Sequence, residues 1–157
     1  MPQPSKGVRL AVDVGSVRIG VARCDTDQIM ALPLTTLAND ETTIEQLLQL
    51  AAEYSAQVIY VGKPISLNEN ETASTFLAKD FADELSLLTD IPVHLLDERL
   101  TTVSAKNVIQ DAGKSEKKSR SYVDQVAAVI LLEQALAIEK STGRLAGTSV
   151  TPGSSRG

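Results

Sequence analysis

Apolar, β-branched runs alternate along the chain with amphipathic stretches of helical period, and this pattern sets out an element order. Val8 to Val14 reads as a strand ending in Asp13-Val14-Gly15, and Ile19 to Cys24 as a second strand reached across Gly15-Ser16-Val17-Arg18. That link suits an antiparallel hairpin with Gly15 in an unusual backbone conformation. After the turn Asp25-Thr26-Asp27-Gln28, Ile29 to Leu37 gives a third strand, interrupted at Pro33. Asn39-Asp40 is a suitable cap for a helix to about Tyr54, with Ile44, Leu47, Leu48, Ala51 and Ala52 on one apolar face. Val58-Ile59-Tyr60-Val61-Gly62 is nearly continuous in apolar residues, the pattern of a strand covered on both faces. A second helix is expected from about Thr72 to Leu88, with Phe76, Leu77, Phe81, Leu85 and Leu88 facing inward, and then a strand from Val93 to Leu96. A third helix starts near Thr101 and closes at Gly113, followed by a basic loop from Lys114 to Ser121 and an apolar helix from Tyr122 to about Glu139.

This order predicts an α/β fold with a five-stranded mixed sheet: a three-strand antiparallel meander plus two parallel strands, flanked by helices. The first strand takes a central place. In such sheets sites form at the carboxyl ends of parallel strands, and both Asp13 and Glu98 sit at strand ends. Residues 1–140 read as one domain. From Ser141 the chain is rich in Gly, Ser and Thr, so 141–157 is expected to be a disordered tail.

Composition narrows the chemistry. With 157 residues, 43% of them hydrophobic, the chain has core enough for one domain. One cysteine, Cys24, excludes an internal disulfide, and with one histidine, His94, it excludes a zinc site of histidine and cysteine within one chain. Both lie inside predicted strands and read as packing residues. No apolar run reaches the roughly 20 residues of a membrane helix, and residues 1–7 lack an apolar signal core, so no membrane contact and a cytoplasmic setting are expected. A net charge of −5 argues against coating nucleic acid by bulk charge, yet Lys114, Lys117, Lys118 and Arg120 crowd into one short segment. Aromatic residues are only 3% of the chain, so base stacking is a minor resource.

The stretch Val93-His94-Leu95-Leu96-Asp97-Glu98-Arg99-Leu100-Thr101-Thr102 drives an apolar strand into two carboxylates, a guanidinium and two hydroxyls. Alternation places Asp97 with Val93 and Leu95, and Glu98 with His94 and Leu96, so the two acids point to opposite faces. Asp13 shares a face with Arg9 and Ala11 in an otherwise apolar central strand, where a buried acid needs a partner or a metal. An aspartate beside a glycine also serves simply as a turn residue. Asp124 has its own plain explanation, a capping box over Ser121-Tyr122-Val123-Asp124. Against that, Asp124, Ala127, Ala128, Leu131 and Ala135 share one helix face, which puts Asp124 at the head of a buried, small-residue stripe. Asp13, Glu98 and Asp124 together make a hard-oxygen donor set that suits Mg²⁺ or Mn²⁺ and phosphodiester hydrolysis. Asp97 is a weaker candidate. Arg18, Arg99, Lys114, Lys117, Lys118 and Arg120 are the candidate phosphate contacts, although charged loops are often merely solvated.

In the order Asp13-Val14-Gly15, Arg18-Ile19-Gly20-Val21-Ala22, Val61-Gly62-Lys63-Pro64, Asp97-Glu98-Arg99-Leu100-Thr101-Thr102 and Asp124-Gln125-Val126-Ala127-Ala128, the chain resembles the YqgF/RuvX family of RNase H-like nucleases over about residues 8–140. That family is described both as Holliday junction resolvases and as pre-16S rRNA nucleases. The resemblance implies an RNase H-like fold, a divalent metal, Asp13, Glu98 and Asp124 as the acidic triad, and a cytoplasmic role in maturing the 5′ end of 16S rRNA during ribosome biogenesis. The chain departs from the family at Val17, where a basic residue is more common, and at Asn68-Glu69-Asn70, where a glycine-containing turn is more common.

The expected partner is structured RNA such as pre-16S rRNA, or branched DNA, bound by a monomer or a homodimer. Junction resolution needs paired active sites and hence a dimer. Two other readings compete. Asp-Val-Gly-Ser before an apolar hairpin also resembles the phosphate loop of actin-like and sugar kinases, but those close two such domains over ATP and this chain has room for one. The other is a module that binds RNA without cutting it.

Overall fold

The computed structural model describes residues 6–63, 73–97 and 116–150. Strands β1 (Arg9–Val14), β2 (Arg18–Cys24) and β3 (Ala31–Ala38) form an antiparallel meander. Helix α1 (Thr43–Glu53), strand β4 (Val58–Lys63), helix α2 (Ala73–Leu88) and strand β5 (Val93–Asp97) follow, with β4 parallel to β1 and β5 parallel to β4. Helix α3 (Glu116–Thr142) and strand β6 (Thr148–Val150) complete the described elements. The sheet runs β3-β2-β1-β4-β5-β6, which places β1 and β4 at its centre.

The order of the first five strands and the central place of β1 match the sequence pattern. The sheet nevertheless has six strands, and the sixth comes from the segment expected to be a tail. Residues 148–150 pair antiparallel with the open edge of β5, and Ala146 and Val150 are buried. A backbone edge needs only main-chain partners, so a Gly/Ser/Thr-rich segment can complete it without an apolar face of its own. Gly147 makes the approach possible: its φ is +70°, and a Cβ there would stand 2.0 Å from the Leu95 carbonyl oxygen.

Strand alternation gives the sheet two unlike faces. Leu10, Val12, Val14, Val21, Ile59 and Val61 point to α1 and α2, where they meet Ile44, Leu47, Phe81 and Leu85. Ala11, Ala22, Tyr60 and Leu96 point to α3 and meet Ala128, Leu131, Leu132 and Ala135. Each fully buried large aliphatic side chain here is worth about 1.5–3 kcal/mol of transfer free energy. The small residues on the α3 face decide how closely that helix can approach. A Cβ on Gly20 would lie 2.1 Å from the Asp124 carbonyl oxygen, so the helix backbone rests directly on β2 there.

Several sequence expectations move. Helix α3 begins at Glu116, so the segment read as a basic loop to Ser121 is helical from that point. Asn39 and Asp40 do not cap α1. Its N-cap is Thr42, and the Asp40 carboxylate accepts from both the Thr42 amide and hydroxyl. Phe76 and Leu88 face outward, the former under the Lys79 ammonium. Gly15 is not among the positive-φ glycines. What demands glycine is space, since a Cβ would meet the Arg18 carbonyl oxygen at 2.7 Å. Pro33 is accommodated on the edge strand β3, where the ladder with β2 slips between Val21 and Ala22. The helix expected over 101–113 lies outside the described residues.

A buried ion pair ties the two ends of the fold together. Arg9, fully buried, donates through Nε and a terminal nitrogen to the two carboxylate oxygens of Glu139 at 3.2 and 2.9 Å. The Tyr60 hydroxyl donates to the same carboxylate at 2.6 Å and accepts from the Ala146 amide at 3.1 Å. The His94 ring nitrogen Nδ1 lies 2.8 Å from the Ala146 carbonyl oxygen, where the neutral ring donates. Main-chain partners and this polar cluster therefore anchor the approach to β6.

Candidate active site

Asp13 sits one residue before the carboxyl end of β1 and is half-buried. It belongs to the same strand face as Arg9 and Ala11, the face that α3 covers. Its ladder partner on β2 is Gly20, the residue on which the Asp124 backbone rests. Asp13 and Asp124, 111 positions apart in sequence, are thereby set on one side of the sheet around a shared glycine. Asp124 is well inside α3, whose first residue is Glu116, so a capping role at a helix start does not explain it.

Arg18 is the third charged group of this corner. Its Nε donates to Asp124 Oδ2 at 2.9 Å, with the two side chains 35% and 20% exposed. The turn that carries Arg18 is held at several points. The Gly15 amide donates to the Arg18 carbonyl at 2.9 Å, the Asn39 side-chain amide donates to the Gly15 carbonyl at 2.7 Å, and the Asn39 backbone amide donates to the Val17 carbonyl at 2.9 Å. An open depression of about 430 Å³ lies over it, lined by Gly15, Ser16, Val17, Arg18 and Asp124. Val17, at its rim, is 68% exposed.

The strand parity read for Asp97 agrees with the residues before it. Val93 and Leu95 pack with the α1 and α2 core, which carries Asp97 away from Asp124. His94 and Leu96 belong to the α3 face, His94 standing edge-on to Tyr60. Glu98, Arg99 and Lys114 lie outside the described residues. Lys117, Lys118 and Arg120 fall in the first turns of α3, and their side chains are outside those described. Among the described residues, no three His, Cys, Asp or Glu side chains gather as a metal cluster.

The two acids fit a hard divalent cation. They offer only carboxylate oxygen, Asp13 stands near the carboxyl end of β1, where such sites form, and Asp124 on α3 already attracts a cation in the form of Arg18. His94 and Cys24 do not join them. Cys24 is buried, and burial pushes its thiol up from the ordinary range. On the other side of the sheet, a groove of about 590 Å³ between α1 and α2 is lined by Ile44, Phe81, Asp40, Glu41, Glu45 and Glu84. Its carboxylates repel phosphate, so it is not the candidate site.

Two positioning residues escaped the sequence reading. Gly20 carries a signal that was available, a glycine inside an apolar strand, which marks close backbone approach. Asn39 had the appearance of a helix cap, and nothing local distinguishes a cap from a side chain that reaches back 24 residues to a turn.

Comparison with known proteins adds the following. A family profile described as RuvX, Holliday junction resolvase, matches residues 7–138. A protein of Streptomyces coelicolor named "Putative pre-16S rRNA nuclease" is 43% identical over 152 residues, covering 95% of this chain and 91% of that one. A protein of Clavibacter michiganensis with the same name is 42% identical over 147 residues, covering 92% and 91%. Among solved structures, RuvC of Thermus thermophilus in complex with a Holliday junction substrate superposes with a TM-score of 0.58 at 13% identity, covering 92% of this chain and 99% of that one. The fold is RNase H-like.

Proposed function

The chain belongs to the RuvX family of Holliday junction resolvases, and from that membership we propose that it is a metal-dependent endonuclease acting on structured nucleic acid, with the 5′ end of pre-16S rRNA as its substrate. The observation that carries the site is the placement of Asp13 and Asp124 on one sheet face around Gly20. The relatives named above supply the substrate class. Among the described residues no helix is long and apolar enough to cross a membrane, and a cytoplasmic site of action follows from the proposed substrate.

Asp13 and Asp124, with Glu98 as the third acid, would hold Mg²⁺ or Mn²⁺. Such an ion, when bound, lowers the pKa of a coordinated water and offsets charge on the phosphoryl oxygens. The chain's own residues supply the setting. The alanine stripe of α3 and Gly20 bring the helix down onto β2, so that Asp124 is held by backbone packing and not by a flexible loop. Arg18 offers a guanidinium at the mouth of the depression, where a phosphate group would lie. Lys117, Lys118 and Arg120, with Arg99 and Lys114, are the proposed backbone-tracking cations.

Branched DNA is the second reading, favoured by the fold shared with a junction-bound resolvase. One assay separates the readings: Mn²⁺-dependent cleavage of a pre-16S 5′-leader RNA and of a four-way DNA junction by wild type, Asp13→Asn, Glu98→Gln and Asp124→Asn. The RNA is expected to be cut preferentially, and each variant to lose more than the roughly 10–100-fold that an outer-sphere metal partner costs. Equal residual cleavage in all three variants would remove the triad. Cutting of the junction alone transfers the assignment to DNA, and binding without cutting by wild type leaves a non-cleaving RNA module.

A further inference from the structure

The corner that holds Asp13 and Asp124 also holds a cation of its own, and this has consequences for how a metal enters. Two carboxylates on one sheet face repel each other unless a positive charge stands between or beside them. Among the described residues, the positive charge beside Asp124 is Arg18, 106 positions from it in sequence and 2.9 Å from it in space. The contact is made through Nε, and among the described residues no other hydrogen bond or ion pair holds the guanidinium.

Backbone and side chain of Arg18 are under different constraints. The backbone is fixed by the Gly15 amide and by Asn39, which clamps the turn at both Gly15 and Val17. The side chain is one-third exposed and borders an open depression of about 430 Å³. An ion pair at that level of exposure shifts an equilibrium by no more than about fivefold, so the guanidinium can exchange partners. Arginine also matches phosphate geometry with two parallel donors, a better pairing than the single contact it makes with Asp124.

We propose that Arg18 is a resident counter-cation that competes with the divalent ion for Asp124, and that a phosphate of the bound nucleic acid relieves this competition by drawing the guanidinium away. Metal and nucleic acid then bind with positive coupling, and the coupling is reciprocal because both depend on the same side-chain exchange. The free protein holds its metal weakly, and the complete site assembles on substrate. This inference rests on the metal-binding reading of Asp124.

Mn²⁺ binding by the full chain, followed through the EPR signal of the free aquo ion, tests it without measuring cleavage. Wild type, Arg18→Gln, Arg18→Lys and Asp124→Asn are titrated with Mn²⁺, alone and with a phosphorothioate RNA duplex. Arg18→Gln is expected to bind Mn²⁺ about fivefold more tightly than wild type in the absence of RNA. The duplex should tighten binding to wild type and to Arg18→Lys by a larger factor than to Arg18→Gln. If Arg18→Gln binds no more tightly than wild type while Asp124→Asn binds more weakly, the metal reading stands and the competition is overturned. If Asp124→Asn binds Mn²⁺ as wild type does, the metal reading itself fails and takes this inference with it.

Discussion

Replacing Gly20 with alanine tests whether backbone packing places Asp124. The added Cβ would stand 2.1 Å from the Asp124 carbonyl oxygen and 2.9 Å from its Cβ, and real Cβ atoms essentially never come closer than 3.0 Å to a neighbour. The obstruction is chiefly main-chain, so no side-chain rotation relieves it. Helix α3 must withdraw by roughly 1 Å at Asp124, and overpacking of that kind costs about 1–3 kcal/mol. Because Gly20 is also the ladder partner of Asp13, the displacement acts on the spacing of the two carboxylates. A shift of about 1 Å at reacting groups costs on the order of 10²-fold in rate. Urea denaturation gives the stability change, and cleavage with saturating Mn²⁺, well below the melting temperature of the variant, gives the rate. A variant that is destabilised yet cleaves at the wild-type rate would refute the argument that packing at Gly20 aligns Asp124.

Glu139→Gln removes the carboxylate that pairs with the buried Arg9 guanidinium, and a loss of about 3–5 kcal/mol is expected in urea denaturation. His94 should make stability fall with acidification: burial pushes its imidazole below the ordinary value near 6.5, so the unfolded chain takes up the proton first. Stability is therefore full above about pH 7, declines as the pH falls through 6.5, and levels off below the folded-state pKa. Denaturation of wild type and His94→Asn across that range should show the slope only in the wild type. Cys24, buried and with its thiol raised by burial, should resist iodoacetamide in the native protein and react once urea unfolds it; rapid native labelling would contradict the packing described for β2.

Periodicity and strand alternation are local properties, and what depends on them was legible in the chain. The meander, the two parallel strands and the central place of β1 follow from apolar runs of strand length separated by a hairpin link and by helical stretches. The same alternation put Asp13 on the face later covered by α3 and sent Asp97 away from it, and the alanine stripe after Asp124 marked the helix that comes close. Glu98 was read from the same parity and lies outside the described residues, so its place in the triad stands as a proposal.

What the sequence pattern could not supply depends on groups meeting across long separations. Ser141 onward lacks an apolar face, so composition marked it as a tail, but an open strand edge accepts any backbone with free amides and carbonyls, and the Tyr60 hydroxyl supplies a further partner. Arg9 and Glu139 are 130 positions apart, and each by itself reads as an ordinary charged residue. Arg18 was read as a candidate phosphate contact, and the structure adds a partner that no local pattern marks, Asp124, 106 positions away. The sequence alone determined the element types, the sheet faces and the residue classes of the site, because side-chain period is dictated by the backbone one residue at a time. Only the tertiary structure decided which charges neutralise each other and which edge the last strand completes, because those choices depend on distances that exist only once the sheet has assembled and α3 is seated on Gly20.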